Sequence, residues 1–152
     1  MAEVTPVFMD CDPGHDDAIA LLLLCNDPSI HVIGVTAVAG NQTVDKTYAN
    51  ALKLTAIAGR ADLPVYRGQA APILRAPKHD PGIHGDSGLD GSPTFDAFAR
   101  GDPVPVEWAE KKGVVAMAEA IANDPAEHVT IIATGALTNV ALLLTLFPEL
   151  KP

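Results

Sequence analysis

Basic residues are scarce in this sequence, and they are not clustered. Ten lysines and arginines stand against nineteen aspartates and glutamates, so the formal net charge at pH 7 is −9. Proteins that bind nucleic acid or anionic membrane surfaces depend on clustered lysine and arginine. The composition therefore argues against both kinds of partner. It favours a neutral or cationic small molecule, or a metal ion, as the ligand.

Cysteine is also rare, and long apolar segments are absent. Cys11 and Cys25 are the two cysteines, and their spacing forms neither a disulfide framework nor a CxxC metal motif, so we expect buried thiols in a reducing compartment. The longest apolar run, 18–25, is far shorter than the roughly 20 residues of a membrane-spanning helix. The N-terminal residues lack the basic and apolar regions of a signal peptide. We therefore expect a cytoplasmic protein.

Apolar β-prone stretches alternate with segments of helical character along the chain. Hydrophobic residues make up 48% of the sequence, enough for the core of one folded domain. The pattern predicts strands at 4–9, 31–38, 63–66 and 128–133, and helices at 16–25, 43–58, 107–123 and 137–147. A long segment without periodicity, 68–105, separates the third strand from the third helix. The alternation predicts an α/β fold with an open, mostly parallel, Rossmann-like sheet and helices on both faces.

Three predicted strand-to-helix turns carry polar residues, at 10–17, 40–43 and 134–139. In open parallel sheets, ligands bind outside the carboxyl ends of the strands. We therefore expect these turns to meet at one edge of the sheet and to form the functional site.

The first of these turns concentrates negative charge. Asp10, Asp12, Asp16 and Asp17 lie within eight positions. Two unit charges 4 Å apart repel by roughly 4 kcal/mol at an effective dielectric constant of 20, so a bound cation would stabilise such a cluster. With oxygen donors and no Cys or His cluster, calcium or magnesium fits better than zinc. In the alternative interpretation, Asp16 caps the helix, Asp17 interacts with its dipole, and the other two belong to a turn.

Phosphate-binding glycine motifs are missing. Neither GxxxxGK[ST] nor GxGxxG occurs, so the sequence gives no support to a glycine-rich phosphate loop.

Four motifs resemble those of the inosine-uridine preferring nucleoside hydrolases. They are DCDPGHDDAIALLL at 10–23, AGNQT at 39–43, IHGDSGLDG at 83–91 and TGALTNVALLL at 134–144. The resemblance extends over nearly the whole chain in the same order. It implies hydrolysis of the N-glycosidic bond of ribonucleosides to ribose and a free base, with a tightly held calcium ion.

The resemblance also implies roles for individual residues. Asp12 would be the general base on the attacking water and a calcium ligand. Asp17 would bind calcium through its carboxylate and Thr134 through its backbone carbonyl. Asp16 would hold the ribose hydroxyls. An acidic site also suits the oxocarbenium-like sugar that forms as the base departs.

Three further residues match the family at the periphery of this site. Asn41 corresponds to an asparagine that lines the ribose and the metal, and His84 to a histidine on a mobile loop near the base. Asp10 matches the first aspartate of the signature and would support the site from behind. Alternatively, Asn41 caps the helix that follows it, and His84 is an exposed loop residue. His15 receives no role from the sequence.

Members of this family are considerably longer than 152 residues. We therefore expect residues 1–152 to be the N-terminal part of a single nucleoside hydrolase domain, truncated after residue 152. The remainder would supply the last strands, another calcium carboxylate, ribose contacts and a histidine that helps the departing base. By itself the segment would hold calcium weakly and be inactive. The family's dimers and tetramers imply that the full-length protein is a homo-oligomer.

Two other functions are compatible with parts of the sequence. A phosphatase of the haloacid dehalogenase type would use Asp10 as its nucleophile together with magnesium. A non-catalytic, truncated relative would act as a binding module.

Overall fold

The computed structural model describes residues 4–91, 93, 95, 105–124 and 128–151. Its strands are β1 (Thr5–Cys11), β2 (Ile30–Ala37), β3 (Val65–Arg67) and β4 (Thr130–Ala133). Its helices within these residues are α1 (His15–Asn26), α2 (Val44–Ile57), α3 (Pro81–His84), α4 (Val106–Glu110), α5 (Gly113–Asn123) and α6 (Thr138–Leu146), and a 3-10 turn follows at Pro148–Leu150. All four predicted strands are present at or near their predicted positions.

The four strands form one parallel sheet in the order β3-β2-β1-β4. The first three strands are added in one direction along the sheet, whereas β4 returns to the other side of β1. Strand order therefore reverses between β1 and β4. In open α/β sheets this reversal opens a crevice at the carboxyl ends of the two strands, where ligands bind.

Helices cover both faces of the sheet, as the sequence predicts. Alternate residues of a strand point to opposite faces, and β1 accordingly contributes Met9 to one hydrophobic cluster and Phe8 to the other. The Met9 cluster includes side chains of α1 and α2, and the Phe8 cluster includes side chains of α5 and α6. Phe8 is fully buried over Gly34 of β2, where a Cβ would lie 2.5 Å from its ring. The core thus surrounds the central strand that leads into the acidic turn.

The prediction of a single helix at 107–123 is wrong, because the chain forms α4 and α5 with a break between them. At the break, Lys111 and Lys112 have extended backbone angles, and Lys112 forms an isolated parallel bridge with Arg67, the last residue of β3. Gly113 then passes so close to the sheet that a Cβ would lie 2.8 Å from the Arg67 carbonyl oxygen. Pairing with the sheet edge therefore interrupts a segment whose composition favours a continuous helix.

The two cysteines are free, as predicted. Cys11 is buried in the central strand, whereas Cys25 is only half-buried at the end of α1. None of the described helices combines the length and apolar character that are needed to cross a membrane.

Candidate active site

The turns after β1, β2 and β4 meet at one edge of the sheet, which confirms the predicted arrangement. The backbone N–H of Thr134 donates to the carbonyl of Asp10 at 2.9 Å, so the β4 turn lies beside the end of β1. On the other side, the N–H of Val38 donates to the carbonyl of Cys11 at 2.9 Å. The acidic turn is therefore held between the two other polar turns.

Asp12 lies at the centre of this edge and is nearly buried. The backbone N–H of Asn41 donates to Asp12 Oδ2 at 2.7 Å, and the Asn41 side-chain amide donates to the Asp12 carbonyl at 2.9 Å. The Asn41 side chain therefore binds the acidic turn instead of capping α2. Two glycines leave room for the carboxylate: a Cβ at Gly40 would lie 2.0 Å from Oδ2, and one at Gly135 would lie 2.8 Å from Oδ1.

Burial raises the pKa of Asp12 to about 6, from an ordinary value of 3.8. The hydrogen bond from Asn41 opposes this change, while the negative charges of Asp17 and Asp16 add to it. A general base accepts protons most effectively when its pKa lies near the working pH. In the metal-free protein the pKa of Asp12 is therefore close to neutrality, and a bound cation would lower it because the opposite charge favours the carboxylate.

Asp17 is buried in the first turn of α1 with both carboxylate oxygens engaged. Oδ2 accepts a hydrogen bond from the N–H of Gly14 at 3.0 Å, and Oδ1 accepts one from the hydroxyl of Thr134. α1 begins at His15, with Gly14 at the N-cap position, so the capping interaction considered for Asp16 belongs to Asp17. Thr134 thus contacts the acidic turn through its side chain.

Asp10 is fully buried behind the turn. Its Oδ1 accepts hydrogen bonds from Thr36 at 2.5 Å and from the Asn139 amide at 2.7 Å, while Oδ2 has no hydrogen-bond partner. Burial raises the pKa of Asp10 to about 6, against the lowering effect of these two bonds. Sequence reasoning missed Thr36 and Asn139. Both could have been noticed as polar residues in otherwise apolar segments. Thr36 lies near the end of β2, and Asn139 lies at the start of α6.

His84 and Asp16 face each other at the mouth of the site. His84 Nε2 lies 3.7 Å from Asp16 Oδ1, and the His84 side chain is only 14% exposed, so it is not a free loop residue. The side chain of Asp16 is 79% exposed and is available to a ligand. His15, which had no assigned role, places its Nδ1 2.9 Å from His84 Nδ1.

The three residues that the sequence suggests as metal ligands, Asp12, Asp17 and Thr134, offer oxygen atoms. In the part of the chain that the structure describes, no three carboxylate, histidine or cysteine side chains converge as a metal site of their own. Asp12 and Asp17 are two acidic side chains whose charges repel each other. They fit a hard cation that draws its remaining ligands from carbonyls, water or substrate.

Comparison with known proteins identifies relatives of the whole described fold. The sequence profile of the family described as inosine-uridine preferring nucleoside hydrolase matches residues 7–152. The pyrimidine-specific ribonucleoside hydrolase RihA of Photobacterium profundum is 42% identical over 145 residues, covering 95% of this chain and 44% of that protein. The protein of the same name from Citrobacter koseri is 45% identical over 146 residues, with the same coverage.

Solved structures of nucleoside hydrolases have a similar fold. A plant nucleoside hydrolase superposes with a TM-score of 0.83 at 29% identity, covering 96% of this chain and 44% of that one. A purine-preferring ribonucleoside hydrolase from Gardnerella vaginalis superposes with a TM-score of 0.77 at 25% identity, covering 97% of this chain and 45% of that one. The chain therefore spans a little under half the length of these relatives. It belongs to the inosine-uridine preferring nucleoside hydrolase family.

Proposed function

We propose that the protein to which this chain contributes hydrolyses the N-glycosidic bond of ribonucleosides, giving ribose and a free base. The observation that carries the proposal is the placement of Asp12 at the point where strand order reverses. There it is buried and positioned by Asn41. Family membership points to the same reaction.

Asp12 is proposed as the general base. It would accept a proton from the water that attacks the anomeric carbon of the ribose, while the bond from that carbon to the nucleobase nitrogen breaks. Because the backbone at Gly40 and Gly135 lies close to the carboxylate and Asn41 holds Oδ2, the orientation of Asp12 is fixed before substrate arrives. Such preorganisation lowers the cost of reaching the transition state.

The sugar is proposed to lie beside Asp16 and Asn41. Asp16 is exposed at the mouth of the site, so its carboxylate is free to accept hydrogen bonds from ribose hydroxyls. The positive charge that develops on the sugar as the base departs would be stabilised by the surrounding carboxylates. His84, which closes one side of the mouth, is proposed to contact the nucleobase.

Calcium is the proposed cofactor, held by the carboxylates of Asp12 and Asp17 and by the Thr134 carbonyl. The repulsion between the two buried carboxylates and the oxygen-only donor set support a hard cation there. When bound, the ion would supply Lewis acidity that makes water easier to deprotonate. Asp10 would support the turn from behind through its bonds to Thr36 and Asn139.

Pyrimidine nucleosides are the first substrates to test. The two curated relatives described above are named pyrimidine-specific, whereas one structural neighbour is named purine-preferring. Uridine and inosine therefore form an informative pair. Homo-oligomerisation and a cytoplasmic location remain predictions from the sequence.

The phosphatase alternative is poorly supported by the position of Asp10. An aspartyl nucleophile must reach the phosphorus atom of its substrate. Asp10 has no exposed surface, and its Oδ1 already accepts two hydrogen bonds.

The test of the proposal is ribose release from uridine and inosine, with added calcium and with a chelator. Two proteins would be assayed: the 152-residue chain, and a chimera in which residues 1–152 replace the matching segment of the Citrobacter koseri relative. Calcium-dependent release that Asp12→Asn abolishes would support the proposal. A folded chimera that releases no ribose from either nucleoside would contradict it. Release by the 152-residue chain alone would refute the expectation that this segment is inactive by itself.

A further inference from the structure

Residues 84–90, which we call the histidine turn, form a closed unit stabilised by Asp90. The carboxylate of Asp90 accepts hydrogen bonds from the N–H groups of Asp86 at 2.8 Å and Ser87 at 2.9 Å, and from the Ser87 hydroxyl. The N–H of Asp90 donates to the carbonyl of His84 at 3.0 Å. These bonds shape the turn while it is docked, and its contacts with the rest of the protein determine where His84 lies.

Three polar side chains spaced four residues apart bind the histidine turn from one side. Residues four apart lie on the same face of a helix, and here the row starts just before α2 and continues along it. Each side chain donates a hydrogen bond to one of three consecutive backbone carbonyls: Gln42 to Gly85 at 3.1 Å, Lys46 to Asp86, and Asn50 to Ser87 at 2.9 Å. Three consecutive carbonyls of the turn, at 85–87, are thus bound by α2 and the segment just before it.

Asn50 differs from the other two because it also reaches the acidic turn. Its Nδ2 lies 3.4 Å from the carbonyl of Pro13, the residue that follows Asp12, as well as 2.9 Å from the carbonyl of Ser87. Asn50 is buried, since only 5% of the residue is exposed. A buried amide is costly unless its hydrogen bonds are made. Both partners must therefore stay in place for this residue to be satisfied.

The packing around Asn50 leaves little freedom for the histidine turn. Gly88 has a positive φ of 87°, and a Cβ there would lie 3.2 Å from Asn50 Nδ2. The next residue, Leu89, is buried in the hydrophobic cluster that includes side chains of α1 and α2. The turn therefore rests directly on the asparagine and on the core beneath it.

We infer that Asn50 is a positioning residue that fixes the turn carrying His84 relative to the turn carrying Asp12. Asp12 and His84 belong to separate segments, and the Asn50 amide contacts the backbone of both. The ring of His15, which lies in the acidic turn, also reaches the histidine turn, with Nε2 3.0 Å from the Asp90 carbonyl oxygen and Nδ1 2.9 Å from His84 Nδ1. The structural part of this inference is independent of the reaction. Its catalytic consequence rests on the proposed nucleoside hydrolase function.

Hydrogen exchange on the 152-residue chain tests the structural part. The N–H groups of Asp86, Ser87 and Asp90 are hydrogen-bonded within the histidine turn, and a short turn loses such protection once it detaches. Asn50→Ala should speed their exchange about tenfold, the expected effect of losing one buried hydrogen bond. Asn50→Asp should speed it at least as much, because it keeps the size of the side chain and replaces the amide donor with an acceptor.

Thr55→Ala is the matched control. Thr55 is a buried polar residue of the same helix, but its hydroxyl donates to Leu52 within α2 at 3.1 Å. This variant should leave the exchange of the histidine turn within twofold of the wild type. Equal acceleration by Thr55→Ala, or unchanged exchange in both Asn50 variants, would overturn the inference.

Kinetics of the active protein, whether the chain or the chimera described above, test the catalytic part. A substrate that binds only when the histidine turn is docked shifts the equilibrium between the detached and docked turn toward docking. Asn50→Ala should therefore raise KM for the nucleoside about tenfold while lowering kcat much less. A fall in kcat with unchanged KM would overturn the positioning role. If neither protein releases ribose, the proposed function fails, and the exchange experiment still decides whether Asn50 holds the turn.

Discussion

Asn41 binds Asp12 at two points, through its backbone N–H to the carboxylate and through its side-chain amide to the carbonyl. This double contact fastens the end of β1 to the turn after β2. It also brings the neighbouring Gly40 against the carboxylate, so that the two turns approach more closely than any side chain larger than hydrogen would permit. The position of Asp12, the proposed base, therefore depends on the absence of a side chain at Gly40.

Gly40→Ala should lower the calcium-dependent release of ribose at least tenfold. The added Cβ would lie 2.0 Å from Asp12 Oδ2, so the carboxylate must move, and misplacing a catalytic group by about 1 Å can cost roughly a hundredfold in rate. The measurement is kcat/KM with uridine. Gly82→Ala is the control, since its Cβ would meet only the side chain of Asp80 at 3.1 Å. Equal activity of Gly40→Ala and the wild type would contradict the described contact.

Asp10 and Asp12 should make the calcium-free protein less stable as the pH rises. Both have pKa values of about 6 in the folded state, against an ordinary value of 3.8. The folded state therefore binds more protons than the unfolded state between these values. The stabilisation that the folded state gains from protonated Asp10 and Asp12 is fully present below about pH 4. It is lost as the pH rises through 6.

Asp10→Asn isolates the part of this effect that belongs to Asp10. A pKa raised from 3.8 to about 6 corresponds to roughly 3 kcal/mol at neutral pH. Urea unfolding in the presence of a chelator should show the variant gaining stability over the wild type between pH 4 and pH 7. Comparing the two proteins is necessary because Asp27, Asp62 and Asp90 have lowered pKa values and change stability in the opposite direction. A constant difference between the proteins across this range would refute the assignment.

Calcium should raise the melting temperature of the active protein, and two aspartate variants should separate its binding from catalysis. A ligand that binds only the folded state stabilises it by RT ln(1 + [L]/Kd), about 2.7 kcal/mol at a hundredfold excess over Kd. Asp12→Asn should reduce this stabilisation because it removes a proposed ligand. Asp16→Asn should keep it and still lose ribose release, since Asp16 is proposed to hold the sugar. Loss of the calcium response in Asp16→Asn would show that the roles are assigned wrongly.

Gly113→Ala should destabilise the protein although alanine favours helices. In an exposed helix the change would stabilise by about 1 kcal/mol. Here the Cβ would lie 2.8 Å from the Arg67 carbonyl oxygen and 2.9 Å from Thr36 Cγ2, and such overpacking costs about 1–3 kcal/mol. Urea unfolding measures whether the substitution lowers or raises the free energy of unfolding. A gain in stability would mean that α5 does not pack against the end of β3 as described.

The helical break before Gly113 shows why sequence reasoning failed at one element. Residues 107–123 have apolar residues at helical spacing, and nothing in that pattern marks Lys112 as a residue that pairs with Arg67, 45 positions away. Such pairing depends on which segments the sheet brings together. The alternation of strands and helices elsewhere was predictable, because local apolar periodicity determines it.

The sequence by itself determined the parallel α/β architecture, the family, and the three turns that form the site, since strand ends in a parallel sheet must meet at one edge. The tertiary structure alone decided how each side chain is used there. It brought Thr134 to Asp17, buried Asp10 between Thr36 and Asn139, and brought His15 to His84 and Asn50 to the histidine turn. These pairs lie far apart in the chain, and their contacts depend on burial and close packing, which a linear pattern of residue types does not encode.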